Sequence, residues 1–211
     1  MPWHMGEPMK HRSMLFKSLI FFLFIYSVPT ARGTEETPRQ IVEGFQASLL
    51  AVMKEAESLG LKGRYARLAP AIEQAFDLPL MVRIAIGSYW NRTTAEQRTK
   101  LAAAFKRMSI STLATFVTGY SGERFKTISE GPGQQNVHLV KTRIIDPDGS
   151  HVNITYIAKR YSDGWNLVDV VVDAGISELA VRQSEYRLIL KKNGIDGLIR
   201  ALNVKADQLM S

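Results

Sequence analysis

The sequence predicts an α+β protein: a four-stranded antiparallel sheet backed by several helices. Three observations predict it. The hydrophobic period changes once, near Gly122, from helical spacing to strand alternation. The turns between the strand candidates, "PGQQ", "DPDG" and "SDG", are short enough for antiparallel hairpins. Helices precede and follow the strands rather than alternating with them, which segregates them to one face of the sheet.

The helices announce themselves by their ends. "TPRQIVEGFQASLLAVMKEAE" opens with Thr37 as N-cap and Pro38 in the first helical position, and Ile41, Phe45, Leu49 and Val52 share one face. Gly60 and Gly63 mark a break. "RYARLAPAIEQAF" follows with Tyr65, Leu68, Ile72 and Phe76 in register, and Pro70 is expected to bend or divide it. A short helix starts at Asp77 and stops at Gly87. Thr94 and Gln97 form a capping-box pair at the head of a long helix carrying Leu101, Phe105, Met108, Leu113, Phe116 and Tyr120. Four strands are expected in "FKTISEG", "NVHLVKTRII", "HVNITYIAKRY" and "WNLVDVVVD". A helix from Ile176 and a shorter one from Ile195 end the chain.

The chain has 211 residues, 45% hydrophobic and 22% charged, a size and composition for one domain with its own core. The N-terminus stands apart. Lys10, Arg12 and Lys17 precede the apolar run "SLIFFLFIYSV", and "ARG" follows, so residues 1–33 read as a cleaved signal peptide and 34–211 as a single domain. An uncleaved N-terminal anchor is the alternative. Removing that segment takes away four basic residues and one acidic one, lowering the net charge from +7 to +4. A mild positive charge suits an anionic membrane surface. No basic run interleaved with aromatics points to nucleic acid. An exported chain without cysteine relies on packing rather than disulfides.

Familiar catalytic chemistry is absent from the sequence. Neither cysteines nor ligand-spaced histidines suggest a metal, since His138 and His151 fall on separate strands, and no phosphate loop or dinucleotide fingerprint occurs. "GYSGE" around Ser121 is a helix stop rather than a nucleophile elbow. No cofactor is expected. The acid/base candidates are Asp169 and Asp173, four apart on the last strand. Either a carboxylate in an apolar cavity does isomerase-like work, or one faces solvent and Asp173 caps the next helix. That strand raises a further question. Strict alternation puts Val168, Val170 and Val172 on one face and Trp165, Leu167 and Val171 on the other. One apolar face can pack on the protein's own helices; the second needs either the late helices or something else to cover it.

The run Arg64 to Phe105 resembles the MlaC family of periplasmic lipid-binding proteins, also called the toluene-tolerance auxiliary family. The matching features are Phe76-Asp77, the helix ending Gly87-Ser88-Tyr89-Trp90, and Thr94-Ala95-Glu96-Gln97. Trp165, the Val-rich strand around Asp169, and Ser177 before the next helix match a second time. The phospholipid-binding members commonly carry "EGVS" there, whereas this chain has "AGIS", which resembles the hopanoid-associated HpnM branch. The resemblance implies a twisted sheet and helices enclosing an apolar lipid cavity, so that ligand covers the Leu167 face. It implies no catalysis, a periplasmic location, and a carrier that moves phospholipid or hopanoid between inner and outer membranes. It also implies two partners, an inner-membrane ABC-type lipid transporter complex and an outer-membrane lipoprotein complex. The lining residues expected are Met81, Ile84, Phe105, Met108, Phe116, Val140, Ile154, Tyr156, Leu167 and Val171. An enzyme using Asp169 and an adaptor with a filled core are the rival readings.

Overall fold

The structure is a computed structural model and describes residues 35–173 and 175–211. The segment 1–33, expected as a signal peptide, lies outside the described residues. Helix α1 spans Pro38–Lys54. The Thr37 hydroxyl accepts from the Gln40 backbone N–H at 3.3 Å, and the Gln40 side chain accepts from the Thr37 N–H at 2.8 Å. The same reciprocal box opens α4 (Ala95–Phe116), between Thr94 and Gln97. Each box satisfies two backbone donors that a helix end otherwise leaves free.

Helix α2 spans Ala56–Ala75, interrupted at Gly60, whose φ of 57° and ψ of −178° only glycine adopts readily. The backbone stays helical through Pro70, so the expected division there is corrected: the break is at Gly60 alone. Helix α3 (Leu78–Ile86) begins where the Asp77 carboxylate accepts from the Leu80 N–H at 2.9 Å. It runs into a 3-10 segment, Gly87–Arg92.

The sheet is a meander of β1 (Arg124–Pro132), β2 (Val137–Ile145), β3 (His151–Tyr161), β4 (Gly164–Val172) and β5 (Ile176–Ser177), every neighbouring pair antiparallel. The expected four strands are therefore five. The fifth is two residues long and takes the place of the expected start of the following helix at Ile176. Helix α5 runs Glu178–Met210 and breaks at Gly194 (φ 65°, ψ −167°), which divides it into the expected pair of terminal helices.

A β-bulge corrects the strand faces. Ile157 pairs with Asp169 but Ala158 pairs with Leu167, leaving Val168 as the extra residue in β4. One extra residue shifts the alternation. Leu167 consequently joins Val170 and Val172 on the face shared with Ala158, Tyr156 and Ile154, while Asp169 and Val171 turn to the other. The inner face packs on the helices. Val42, Leu68, Val82, Leu101, Val140, Leu167 and Leu198 are fully buried in one continuous core. Two contacts bolt sheet to helices: the Asp77 N–H donates to the Leu167 carbonyl at 3.0 Å, and the Tyr161 hydroxyl donates to the other Asp77 oxygen at 2.5 Å.

Candidate functional site

The core does not fill the space between sheet and helices. A cavity of about 880 Å³ remains, toward the upper end for small-ligand sites. All five helices and the two strands β3 and β4 contribute to its wall. Phe45 and Leu49 come from α1, Ile72 from α2, Met81 from α3, Met108 and Leu113 from α4, and Ile189 and Leu202 from α5, against Ile154, Tyr156, Val170 and Val172 of the sheet. Phe116 stands at the rim, 76% exposed.

The wall is made apolar even where its residues are not. Thr112 donates to the Met108 carbonyl at 2.8 Å and Thr115 to the Thr112 carbonyl at 2.7 Å, so both hydroxyls are spent on their own helix. The buried Gln46 amide donates to Thr142 at 3.0 Å and to the Tyr156 hydroxyl at 3.4 Å. Burial pushes the Tyr156 phenol up to about 12, so it stays neutral. Charge is confined to a few positions. Arg182 lies between Glu178 at 3.6 Å and Glu185 at 2.9 Å, and Lys205 is the other cation on the wall. Among the wall residues, one fully buried polar atom has no protein partner among the described residues: the Tyr186 hydroxyl, on a side chain only 3% exposed. Leaving a buried hydroxyl unpaired costs roughly 1–3 kcal/mol.

Six of the ten expected lining residues meet at this cavity: Met81, Phe105, Met108, Phe116, Ile154 and Tyr156. Four are elsewhere. Ile84 is on the outward side of α3, 43% exposed, because Leu78, Met81, Val82, Ala85 and Ile86 form the buried stripe. Val140 and Leu167 are on the inner sheet face but fully buried in the core. Val171 is turned away by the bulge. Val170, Val172 and Tyr186 were missed. The two valines were misplaced by strict alternation. Tyr186 falls seven residues after Leu179 and four before Leu190, and helical spacing alone marks it as an inward tyrosine.

The acid/base candidates also find their places. Asp169 is buried and accepts from Val170 N–H at 2.8 Å, Leu179 N–H at 3.1 Å and the Ser177 hydroxyl at 2.6 Å. It thus helps cap α5, the role expected of Asp173. Asp173 instead accepts from the Asn153 N–H at 2.9 Å, with φ at 41°. Neither carboxylate lines the cavity.

These features define a class: a helix-backed antiparallel meander built round a solvent-open apolar cavity of ligand size. The family description "MlaC protein" matches residues 43–204, and the chain belongs to the MlaC family. Among relatives, it is 32% identical over 127 residues to the intermembrane phospholipid transport system binding protein MlaC of Haemophilus influenzae. That match covers 58% of this chain and 59% of the relative, so the chain spans under two thirds of that protein's length. A solved phospholipid-binding protein from Ralstonia solanacearum, in complex with a phospholipid, shares the fold with a TM-score of 0.73 at 19% identity, over 83% of this chain and all of that one.

Proposed function

We propose that this protein is a non-catalytic periplasmic lipid carrier, exported by its N-terminal segment, that shields the apolar part of a membrane lipid while it passes between the inner and outer membranes. The cavity carries this reading. Its mostly aliphatic and aromatic wall, with two methionines, suits tails that adopt many shapes. Met81, Phe105, Met108, Phe116, Ile154 and Tyr156 are the proposed tail contacts. The relative's printed role in intermembrane phospholipid transport and the fold neighbour's bound phospholipid both support a phospholipid as cargo. The "AGIS" departure keeps a hopanoid as the other cargo.

Release into water cannot complete such a journey. Each buried methylene gains about 0.8 kcal/mol, so roughly thirty would gain over ~20 kcal/mol gross, near the ceiling for non-covalent binding. The lipid therefore has to pass directly to docked acceptors. An inner-membrane ABC-type transporter complex and an outer-membrane lipoprotein complex are the proposed partners. A cavity of this size weighs against an adaptor with a filled core, and the placing of Asp169 away from the cavity wall weighs against the enzyme reading.

Mass spectrometry of an organic extract from purified periplasmic protein tests the proposal. A bound lipid in near-stoichiometric amount is expected, and its mass distinguishes phospholipid from hopanoid. Protein recovered without any lipid, and unable to take one up from vesicles, would defeat it.

A further inference from the structure

Behind the cavity lies a second, smaller space. A pocket of about 310 Å³ opens between α2, α3 and α4, lined by Pro79, Ala102 and Ala103, with the Lys106–Glu73 ion pair at 3.2 Å on its wall. Phe76 and Leu78 line both this pocket and the cavity of about 880 Å³. The two spaces therefore meet back to back at these side chains. Leu78 is buried, whereas Phe76 keeps part of its surface open.

The fold holds Phe76 firmly. Its N–H donates to the Ile72 carbonyl at 2.9 Å, and the next N–H, of Asp77, donates to Leu167 in the sheet at 3.0 Å. Its ring meets the Phe45 ring edge-on, with centroids 5.1 Å apart and planes at 83°. A ring fixed at its backbone and at its face can act as a stop. Its place along the cavity follows from α4, whose Phe105, Met108, Leu113 and Phe116 run beside that cavity. Ala102 and Lys106, on the pocket side, precede the rim residue Phe116 by fourteen and ten residues, so the partition stands about 15–21 Å from the rim along the helix, at about 1.5 Å per residue. One leaflet of a bilayer's hydrocarbon core, half of about 30 Å, is about 15 Å deep. The space between Phe116 and Phe76 matches the depth of a tail in its leaflet.

Resting on the carrier reading with a phospholipid as cargo, we propose that Phe76 is the inner stop of the cavity and sets the acyl-chain length the protein accepts, and that the pocket behind it takes the chain end once the ring is removed. A chain that reaches the ring without passing it is shielded along its whole length. Each methylene beyond that length emerges at the rim into water, a cost absent in the donor bilayer, and lowers retention about fourfold.

The test is a competition on the delipidated full chain. Vesicles holding equal amounts of dipalmitoleoyl, dioleoyl and dierucoyl phosphatidylglycerol are offered, and the lipids retained are read by mass spectrometry. The wild type is expected to retain the dierucoyl lipid less than the dipalmitoleoyl lipid by about tenfold or more. Phe76→Ala should bring that ratio close to one. Phe76→Leu should fall between the two, and it keeps the test open if the alanine variant folds poorly. Adding Ala103→Trp to Phe76→Ala fills the outer pocket and should restore the discrimination. Equal retention of short and long chains by the wild type overturns the proposal while sparing the carrier reading. A ratio left unchanged in both folded Phe76 variants does the same, as does long-chain retention that persists in the double variant. Failure of the wild type to retain any of the three lipids overturns both the proposal and phospholipid as the cargo.

Discussion

Asp169 holds two backbone N–H groups and a hydroxyl with one buried carboxylate, and so joins β4, β5 and the start of α5. Asp169→Ala strands those donors, and a loss of about 2–3 kcal/mol is expected in urea unfolding of the delipidated protein. Asp169→Asn keeps one acceptor oxygen for the N–H groups and should lose about half as much. Cargo retention should survive in both folded variants; abolished retention in a stable Asp169→Asn protein would reopen the case for chemistry there. Tyr156 gives a pH prediction. Its phenol is raised from 10.0 to about 12 in the folded protein. Above the unfolded value the unfolded chain loses this proton while the folded one keeps it, so the unfolded state binds fewer protons and stability falls. The contribution is intact below pH 10 and is lost as pH rises to about 12, on the order of 2–3 kcal/mol in all. Urea midpoints measured from pH 8 to 11.5 should fall more steeply for wild type than for Tyr156→Phe.

The bulge at Val168 decides what β4 presents to the cavity. Leu167→Trp now adds bulk to packed core and should cost ~1–3 kcal/mol in the delipidated protein. Val170→Trp places the same ring where tails would lie, and should reduce extracted lipid with little change in the delipidated midpoint. The reverse pattern would mean the alternation runs unbroken. The two helix breaks make a separate prediction. No atom lies within 4 Å of a Cβ built on Gly194, yet its backbone region is nearly closed to other residues, so Gly194→Ala should cost ~1–3 kcal/mol through the backbone alone. These elements also show what was legible in the sequence. Caps at Thr37, Asp77 and Thr94, the helix breaks and the hairpins rest on local chemistry, and each could be read directly. The bulge could not, because no Gly or Pro marks Val168 and one extra residue is invisible to a period-two count. Ile84 misled because α3 is apolar nearly all round, and Val140 because core and cavity wall draw on the same residue types. The exchange of roles between Asp169 and Asp173 followed from β5, too short to see.

At the scale of the whole molecule, cargo and fold share one interior. Anything that binds the folded chain alone raises its apparent stability, so lipid-loaded protein should melt above the delipidated form, by an amount that grows with free lipid. Equal midpoints would place the extracted lipid on the surface. The meander has a further effect, on the order of assembly. Within the sheet each strand pairs only with its neighbours in sequence, so β1 to β5 close through short loops at small entropic cost. The helices are different: Gln46 reaches Thr142 across 96 positions, and Asp77 reaches Tyr161 across 84. The sheet can therefore form before it has helices to cover it, whereas the sheet-facing side of α1 finds its partners only in the last third of the chain. A nucleus centred on the hairpins would give substitutions in β2 and β3 a large effect on folding rate, and those in α1 an effect mainly on unfolding rate. Chevron analysis of Val140→Ala against Val42→Ala measures that contrast, and equal folding-rate changes would place the nucleus across both layers. Because those helix-to-sheet contacts join the first half of the chain to its last third, the core closes only once the sheet residues have been made.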